Sequence, residues 1–278
     1  MQLQQYWYPV NVLHPVFEVN QATYRYQNVV ALKNLNLTVH SGEQLCLLGA
    51  NGSGKSTLLR LLSGLAFAES GDVFFHGVAL TERAFHADPF SFSFRKRVGV
   101  VFQNPDVQLF NPTVFDELAF GPLQLRWPSD QIRHAAEAIM RQMDIAHLAS
   151  RPPHRLSGGE KKRVAIASVL ILDPEVLLLD EPTAALDPKS EGMILDLLSS
   201  WTGTGRTVVT ATHDLGSLER IATRCALFDN GTIAAEGQPM AILHDVPLLE
   251  RTRLIQVHRH THPDDESKPH AHPHLHQH

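Results

Sequence analysis

Cysteine is scarce in this chain of 278 residues: Cys46 and Cys225 are the only two, and each lies inside an apolar run. That count excludes a disulfide framework and a thiolate zinc site, and it fits a reducing cytosol. Basic residues are not in excess either, with 24 Lys and Arg against 29 Asp and Glu and a formal net charge of -5. A protein that coats nucleic acid needs a strong positive balance, so no nucleic-acid partner is expected. No stretch reaches the roughly 18 to 20 apolar residues of a membrane span, and Met1-Gln2-Leu3-Gln4-Gln5 lacks the basic and apolar regions of an export signal. The chain is therefore expected neither to cross a membrane nor to be exported by itself. What is present is a globular composition, 43% hydrophobic and 19% charged, on a length that suits one large or two small domains.

Short apolar runs alternate with helical patterns through most of the chain. Gln44–Leu48, Val98–Phe102, Val176–Leu179 and Thr207–Thr210 read as buried strands. Helical patterns follow Lys55, Gln131, Ser157, Pro188 and Asp214, several behind a Ser or Asp that suits an N-cap. Such alternation predicts a mostly parallel sheet covered on both faces. The stretch 105–172 has few strand signals and reads as a helical insertion, whereas Phe17–Val19, Val29–Leu32 and Leu35–Val39 predict a small antiparallel β layer.

Three segments carry chemistry. Gly49-Ala50-Asn51-Gly52-Ser53-Gly54-Lys55-Ser56 matches G-x-x-x-x-G-K-[ST] between a predicted strand and a predicted helix, with Thr57 next in line. Glycines let backbone N–H groups converge on phosphate oxygens at a helix start, Lys55 adds a full charge, and the Ser56 hydroxyl suits Mg²⁺. Downstream, Val176-Leu177-Leu178-Leu179-Asp180-Glu181-Pro182 ends an apolar strand in two carboxylates: Asp180 is expected to hold Mg²⁺ and Glu181 to polarise the attacking water. Between them, Leu156-Ser157-Gly158-Gly159-Glu160-Lys161-Lys162-Arg163 opens a helix, a second anion-binding N-terminus built on Ser157 and the Gly158 and Gly159 amides.

In this order the segments resemble the ATP-binding cassette (ABC) ATPases over about residues 16–245. The resemblance implies an α/β fold: a P-loop, RecA-like nucleotide-binding domain with an N-terminal antiparallel β layer and a helical subdomain insertion, spanning 16–250. It implies further roles for residues that would be bland singly. Gln103 matches the glutamine that senses the γ-phosphate and Mg²⁺, Asp187 in Ala185-Leu186-Asp187 the loop that signals across the dimer, and His213 the switch histidine. Tyr26, with Tyr24 as its rival, matches the aromatic that stacks on adenine. The cofactors implied are ATP and Mg²⁺, with catalysis by Glu181, His213, Gln103 and Lys55, and with each ATP shared between the phosphate loop of one copy and the Ser157 segment of a second ATPase copy.

Val98 to Phe110, reading on through Thr113-Val114-Phe115-Asp116-Glu117-Leu118-Ala119-Phe120-Gly121-Pro122, is similar to the energy-coupling factor importers, nearest their nickel and cobalt uptake ATPases. That implies a transmembrane coupling subunit and a substrate-capture membrane subunit as partners, at the cytoplasmic face of the membrane. The last twenty-one residues add His258, His260, His262, His270, His272, His274, His276 and His278, eight of the seventeen histidines, in a stretch too polar to bury a core. This 258–278 tail is expected to be disordered and to bind a transition metal, since alternate imidazoles emerge on one side of an extended chain and suit Zn²⁺, Cu²⁺ and Ni²⁺. Together the two features favour nickel over cobalt. The other readings are a cobalt or vitamin importer ATPase, a soluble ABC ATPase acting on nucleic acid, and a metal-storage protein; ATP turnover and membrane partners discriminate among them.

Overall fold

The computed structural model describes residues 14–255, so the histidine-rich segment from His258 to His278 lies outside the described residues. In chain order the elements are β1 (Pro15–Tyr26), β2 (Val29–His40), β3 (Gln44–Leu48), α1 (Lys55–Leu62), β4 (Ser70–Phe75), β5 (Val78–Ala79), α2 (Glu82–Phe85), α3 (Asp88–Arg97) and β6 (Val98–Val101). Then follow α4 (Val114–Gln124), α5 (Ser129–Gln142), α6 (Gly158–Leu170), β7 (Val176–Asp180), α7 (Pro188–Ser199), β8 (Thr207–Thr212), α8 (Leu218–Ile221), β9 (Arg224–Asp229), β10 (Thr232–Gly237), α9 (Pro239–Leu243) and α10 (Val246–Arg251).

Six strands form one sheet in the order β10-β9-β3-β8-β7-β6, parallel except for β10 at its edge. The other sheet is antiparallel, in the order β2-β1-β4-β5. Strands β3 and β8 are buried at every position, which is why they read as unbroken apolar or β-branched runs instead of alternating ones. Helix α1 lays Leu58, Leu59, Leu61 and Leu62 into a core shared with Leu45, Leu47, Phe17 and Val73, so it joins the two sheets. A second core, containing Leu118, Ile139, Val164, Leu177 and Ile194, fastens α4, α5 and α6 to the β7 side of the parallel sheet. Between 105 and 172 the described structure is helical, as the scarcity of strand signals predicts.

Several boundaries differ from the sequence reading. Val29–Leu32 and Leu35–Val39 are one strand, β2, which crosses Asn34 with a positive φ of 45°. The strand predicted to reach Phe102 stops at Val101, because Phe102 N–H bonds instead to the Gln108 side chain at 3.2 Å. The helix predicted after Asp214 begins at Leu218, since Asp214 closes a turn by accepting the Gly216 N–H at 2.9 Å.

Candidate active site

The carboxyl ends of β3, β8 and β7 lie level, with Leu48 opposite Thr212 and Asp180 opposite Ala211. The chain leaving β3 turns through Gly49, Gly52 and Gly54. A Cβ on Gly49 would lie 2.6 Å from Ser53 Oγ and 2.7 Å from the Phe228 carbonyl, and one on Gly54, where φ is +115°, would lie 2.8 Å from the Ala31 carbonyl. Helix α1 then starts with no side-chain cap and no acid in its first turn. Its first N–H groups are left to an external anion, which the helix dipole favours. Lys55 folds back over the loop and donates from Nζ to the carbonyls of Gly49 at 2.5 Å and Ala50 at 3.2 Å. Burial pulls its ammonium below the ordinary lysine range, and the Glu181 and Asp180 carboxylates oppose that pull. Ser53 Oγ is buried without a partner among the described residues. A cradle too tight for side chains, an uncapped helix start, a buried cation and an orphaned hydroxyl fit a polyphosphate. Thr57, the third residue of α1, is buried, and Asn51 is exposed at the loop tip.

Ser56 Oγ donates to Asp180 Oδ1 at 3.0 Å, so the hydroxyl and the carboxylate expected to share a Mg²⁺ ion are brought together. Both are hard oxygen donors, the set that Mg²⁺ prefers. Burial raises the Asp180 pKa, the Ser56 hydrogen bond lowers it, and the neighbouring Glu181 raises it further. Such a carboxylate gains most from a nearby cation. Glu181 follows with a left-handed φ of 45°, a conformation that a non-glycine residue keeps only where its surroundings hold it. They do: its N–H donates to the Ala211 carbonyl at 2.9 Å, Thr212 Oγ1 lies 3.2 Å from Oε2, and His213 Nδ1 lies 2.8 Å from Oε1. Glu181 is 4% exposed and His213 is half-buried. A carboxylate fixed at both oxygens beside a phosphate cradle is placed to accept a proton from water.

Gln103 lies in the loop after β6 with its side chain exposed. The loop is anchored by Gln108, whose Nε2 donates to the Ala165 carbonyl at 2.8 Å. A cleft of about 280 Å³ runs beside it and is lined by Ser56, Arg60, Phe102, Gln103, Val107 and Asp180 among others.

At the start of α6, Ser157 and Glu160 form a reciprocal capping box. Ser157 Oγ accepts from Glu160 N–H at 3.3 Å, and Ser157 N–H donates to Glu160 Oε2 at 2.7 Å. Gly158 faces open space, but a Cβ on Gly159 would lie 2.4 Å from Ser190 Oγ and 3.2 Å from Asp187 Oδ2. Asp187 caps α7 through the Lys189 and Ser190 N–H groups, each at 3.1 Å, and the Ser190 hydroxyl, with its N–H, holds the carboxyl below the usual carboxylate range. Tyr26 is exposed at the end of β1 and meets Tyr24 edge-on at 5.0 Å, while Arg60 donates to its hydroxyl at 3.1 Å. Tyr24 packs against the core, which leaves Tyr26 with the freer ring.

The profile of the ABC transporter family matches residues 32–184, which is more than half of the chain. The chain belongs to the ABC transporter family. A nickel import ATP-binding protein, NikO of Rhodobacter capsulatus, is 53% identical over 244 residues, 87% of this chain and 96% of that protein. LarO of Lactiplantibacillus plantarum, also named a nickel import ATP-binding protein, is 45% identical over 74% of this chain and 86% of its own. Among solved structures, cbiO1 from Clostridium perfringens, part of the ABC transporter complex cbiONQ, superposes with a TM-score of 0.72 at 33% identity, covering 86% of this chain and 95% of that one. A dimeric ATP-binding cassette bound to ADP and Pi also superposes at 0.72, with 28% identity over 80% of this chain and 98% of that one.

As an ABC transporter subunit, the protein binds ATP with Mg²⁺ and hydrolyses it. No helix among its described residues is long and apolar enough to cross a membrane. Two residues that touch Glu181 are missing from the sequence reading. Thr212 ends an apolar strand and looks like filler until its hydroxyl is seen on Glu181. Lys162 sits in a charged helical stretch that reads as solvated, yet it is 2% exposed.

Proposed function

We propose that this chain is the ATP-hydrolysing, energy-coupling subunit of a membrane importer for transition-metal ions, nickel foremost. The observation that carries the ATPase part is the Glu181 carboxylate, pinned by His213 and Thr212 next to the Ser56–Asp180 pair at an uncapped helix start. Nickel is supported by the names of two relatives, both nickel import ATP-binding proteins, and by the alternating histidines from His258 to His278. Residues 16–250 make up the ATPase unit, with 105–172 as its helical insertion.

In this reading the loop from Gly49 to Gly54, with Asn51, Ser53, Lys55 and Thr57, holds the phosphates, and Tyr26 offers its ring to adenine. Ser56, Asp180 and Gln103 would hold Mg²⁺, whose chemistry is to neutralise charge on the phosphate oxygens. Glu181 takes the proton of the attacking water and His213 steadies it. Ser157, Gly158 and Gly159 of a second ATPase copy close on the γ-phosphate, with Asp187 beside the junction, so ATP favours the closed pair and its cleavage releases it. The partners are then a transmembrane coupling subunit and a substrate-capture subunit at the cytoplasmic face of the membrane. The tail would buffer arriving metal and bind only with its imidazoles unprotonated.

Glu181→Gln keeps the shape and removes the base. The variant should bind ATP, hydrolyse it at least about 100-fold more slowly and accumulate as a nucleotide-bound dimer. Unchanged turnover would remove Glu181 from the mechanism. For the cargo, uptake of radiolabelled nickel and cobalt by vesicles holding the whole complex decides: cobalt without nickel favours the cobalt reading and overturns the nickel one.

A further inference from the structure

Lys162 lies in the second turn of α6, buried, and its ammonium has no carboxylate within 4.0 Å among the described residues. Nζ donates instead to three backbone carbonyls: Gln103 at 2.7 Å, Phe102 at 3.2 Å and Glu181 at 3.2 Å. An ammonium has three N–H groups, so its donors are matched one to one. The acceptors come from two chain segments, the turn after β6 and the residue after β7. A buried cation hydrogen-bonded only to carbonyls is costly to keep, and packing alone would be served as well by an apolar side chain. Burial lowers its pKa to about 8 even though the Asp180 and Glu181 carboxylates pull upward.

The Glu181 contact gives this arrangement a use. With the Ala211 bond on its N–H and the Lys162 bond on its carbonyl, both backbone polar groups of the left-handed Glu181 are held, as are both of its carboxylate oxygens. The Gln103 carbonyl takes the shortest of the three bonds, so one side chain of α6 grips both the Gln103 turn and the Glu181 turn. We infer that Lys162 is a positioning residue, a three-way tie that holds the Gln103 loop and the Glu181 backbone at a fixed offset from the helix whose first residues form the second phosphate surface. Any tilt of α6 then moves Gln103 and Glu181 together, and the carboxylate is set when the signature end of the helix is set. The inference rests on the roles given to Glu181 and Gln103 above.

The test compares Lys162→Met, which fills the space without donors, with Lys162→Gln, which keeps two, in steady-state ATPase assays of the full chain. Fluorescent-nucleotide binding and thermal unfolding are measured alongside. A tie acting on the base predicts that Lys162→Met loses about 10- to 100-fold in kcat while KM and nucleotide affinity stay within about 2-fold, and that Lys162→Gln recovers at least about a third of the lost rate. Added to Glu181→Gln, Lys162→Met should cost less than about 3-fold more, because the rate it loses runs through that carboxylate. A kcat within about 2-fold of the parent in both variants, a loss confined to KM, or full additivity with Glu181→Gln overturns the tie. Should Lys162→Met not fold, Lys162→Gln decides alone, by whether kcat falls with KM unchanged. If Glu181→Gln abolishes turnover while both Lys162 variants are silent, only the tie is wrong; if Glu181→Gln is also silent, the assignment beneath it is wrong too.

Discussion

Two helices in this chain begin at glycine-rich turns, and they begin differently. Helix α1 has Gly54 as its N-cap, no side-chain cap and no acid in the first turn. Helix α6 has Ser157 as its N-cap, a complete capping box and Glu160 in the first turn. The first leaves its N–H groups and its positive end to a ligand. The second satisfies itself within the chain and keeps Ser157 and Gly158 exposed at its tip. Under the proposed function, the difference suits a site made in two stages: one surface would hold nucleotide in the single chain, and the other would join when a second copy presents phosphate to it. The α6 end satisfies its N–H groups with its own cap, whereas the loop before the uncapped α1 is held by Lys55, which donates to the Gly49 and Ala50 carbonyls.

Two glycine substitutions break the comparison apart. Gly54→Ala puts a Cβ 2.8 Å from the Ala31 backbone at a φ of +115°, where neither the backbone nor the neighbour can give cheaply. Strain of about 1–3 kcal/mol in the loop, plus the lost phosphate geometry, should weaken ATP binding by about 100-fold or more in a titration of the single chain. Gly158→Ala meets nothing within 4 Å. It should leave the fold and first-stage ATP affinity intact, raise stability by up to about 1 kcal/mol through helix propensity, and still slow turnover by about 10-fold by crowding the amides the second copy must reach. Equal losses of ATP affinity in the two variants would erase the distinction between the surfaces. Full turnover in Gly158→Ala would remove α6 from the site.

What could be read in advance follows the same physics. The phosphate loop, Asp180 and Glu181 can be located because each ends or follows a strand buried on both faces, where an unbroken apolar run stops abruptly at polar residues, whereas His213, after the Thr-rich β8, is singled out only by the family resemblance. Strand β10 is not, because Thr232–Gly237 alternates exposed and half-buried positions along an edge and carries only Ile233 as a large apolar residue. Helices α9 and α10 are short and start with Pro at the first turn, so they offer too few positions for a helical period to show. Lys162 is the instructive miss. Its neighbours Glu160, Lys161 and Arg163 make the segment look solvated, and the carbonyls that receive its ammonium lie 59 or 60 residues upstream and 19 downstream. Local pattern reports which face of a helix is apolar, but not that a charged group on that helix is solvated by backbone from elsewhere.

The smallest test probes whether the cap on α6 is electrostatic or only geometric. The Ser157 backbone bond holds the Glu160 carboxyl below its ordinary value; burial opposes it, and the Ser157 hydroxyl with Arg151 and Arg163 adds to the lowering. A carboxylate lowered on folding contributes stability that is present above its unfolded pKa of about 4.3 and is lost as pH falls through the lower folded value. Glu160→Gln can keep the bond from Ser157 N–H but loses the charge at the helix start. At neutral pH the variant should be destabilised by no more than about 0.5 kcal/mol, because the group is solvent-screened. Between about pH 5 and pH 3 the parent should lose stability faster than the variant, so their urea midpoints converge. Midpoints that run parallel across that range would mean that the cap works through its hydrogen bonds alone.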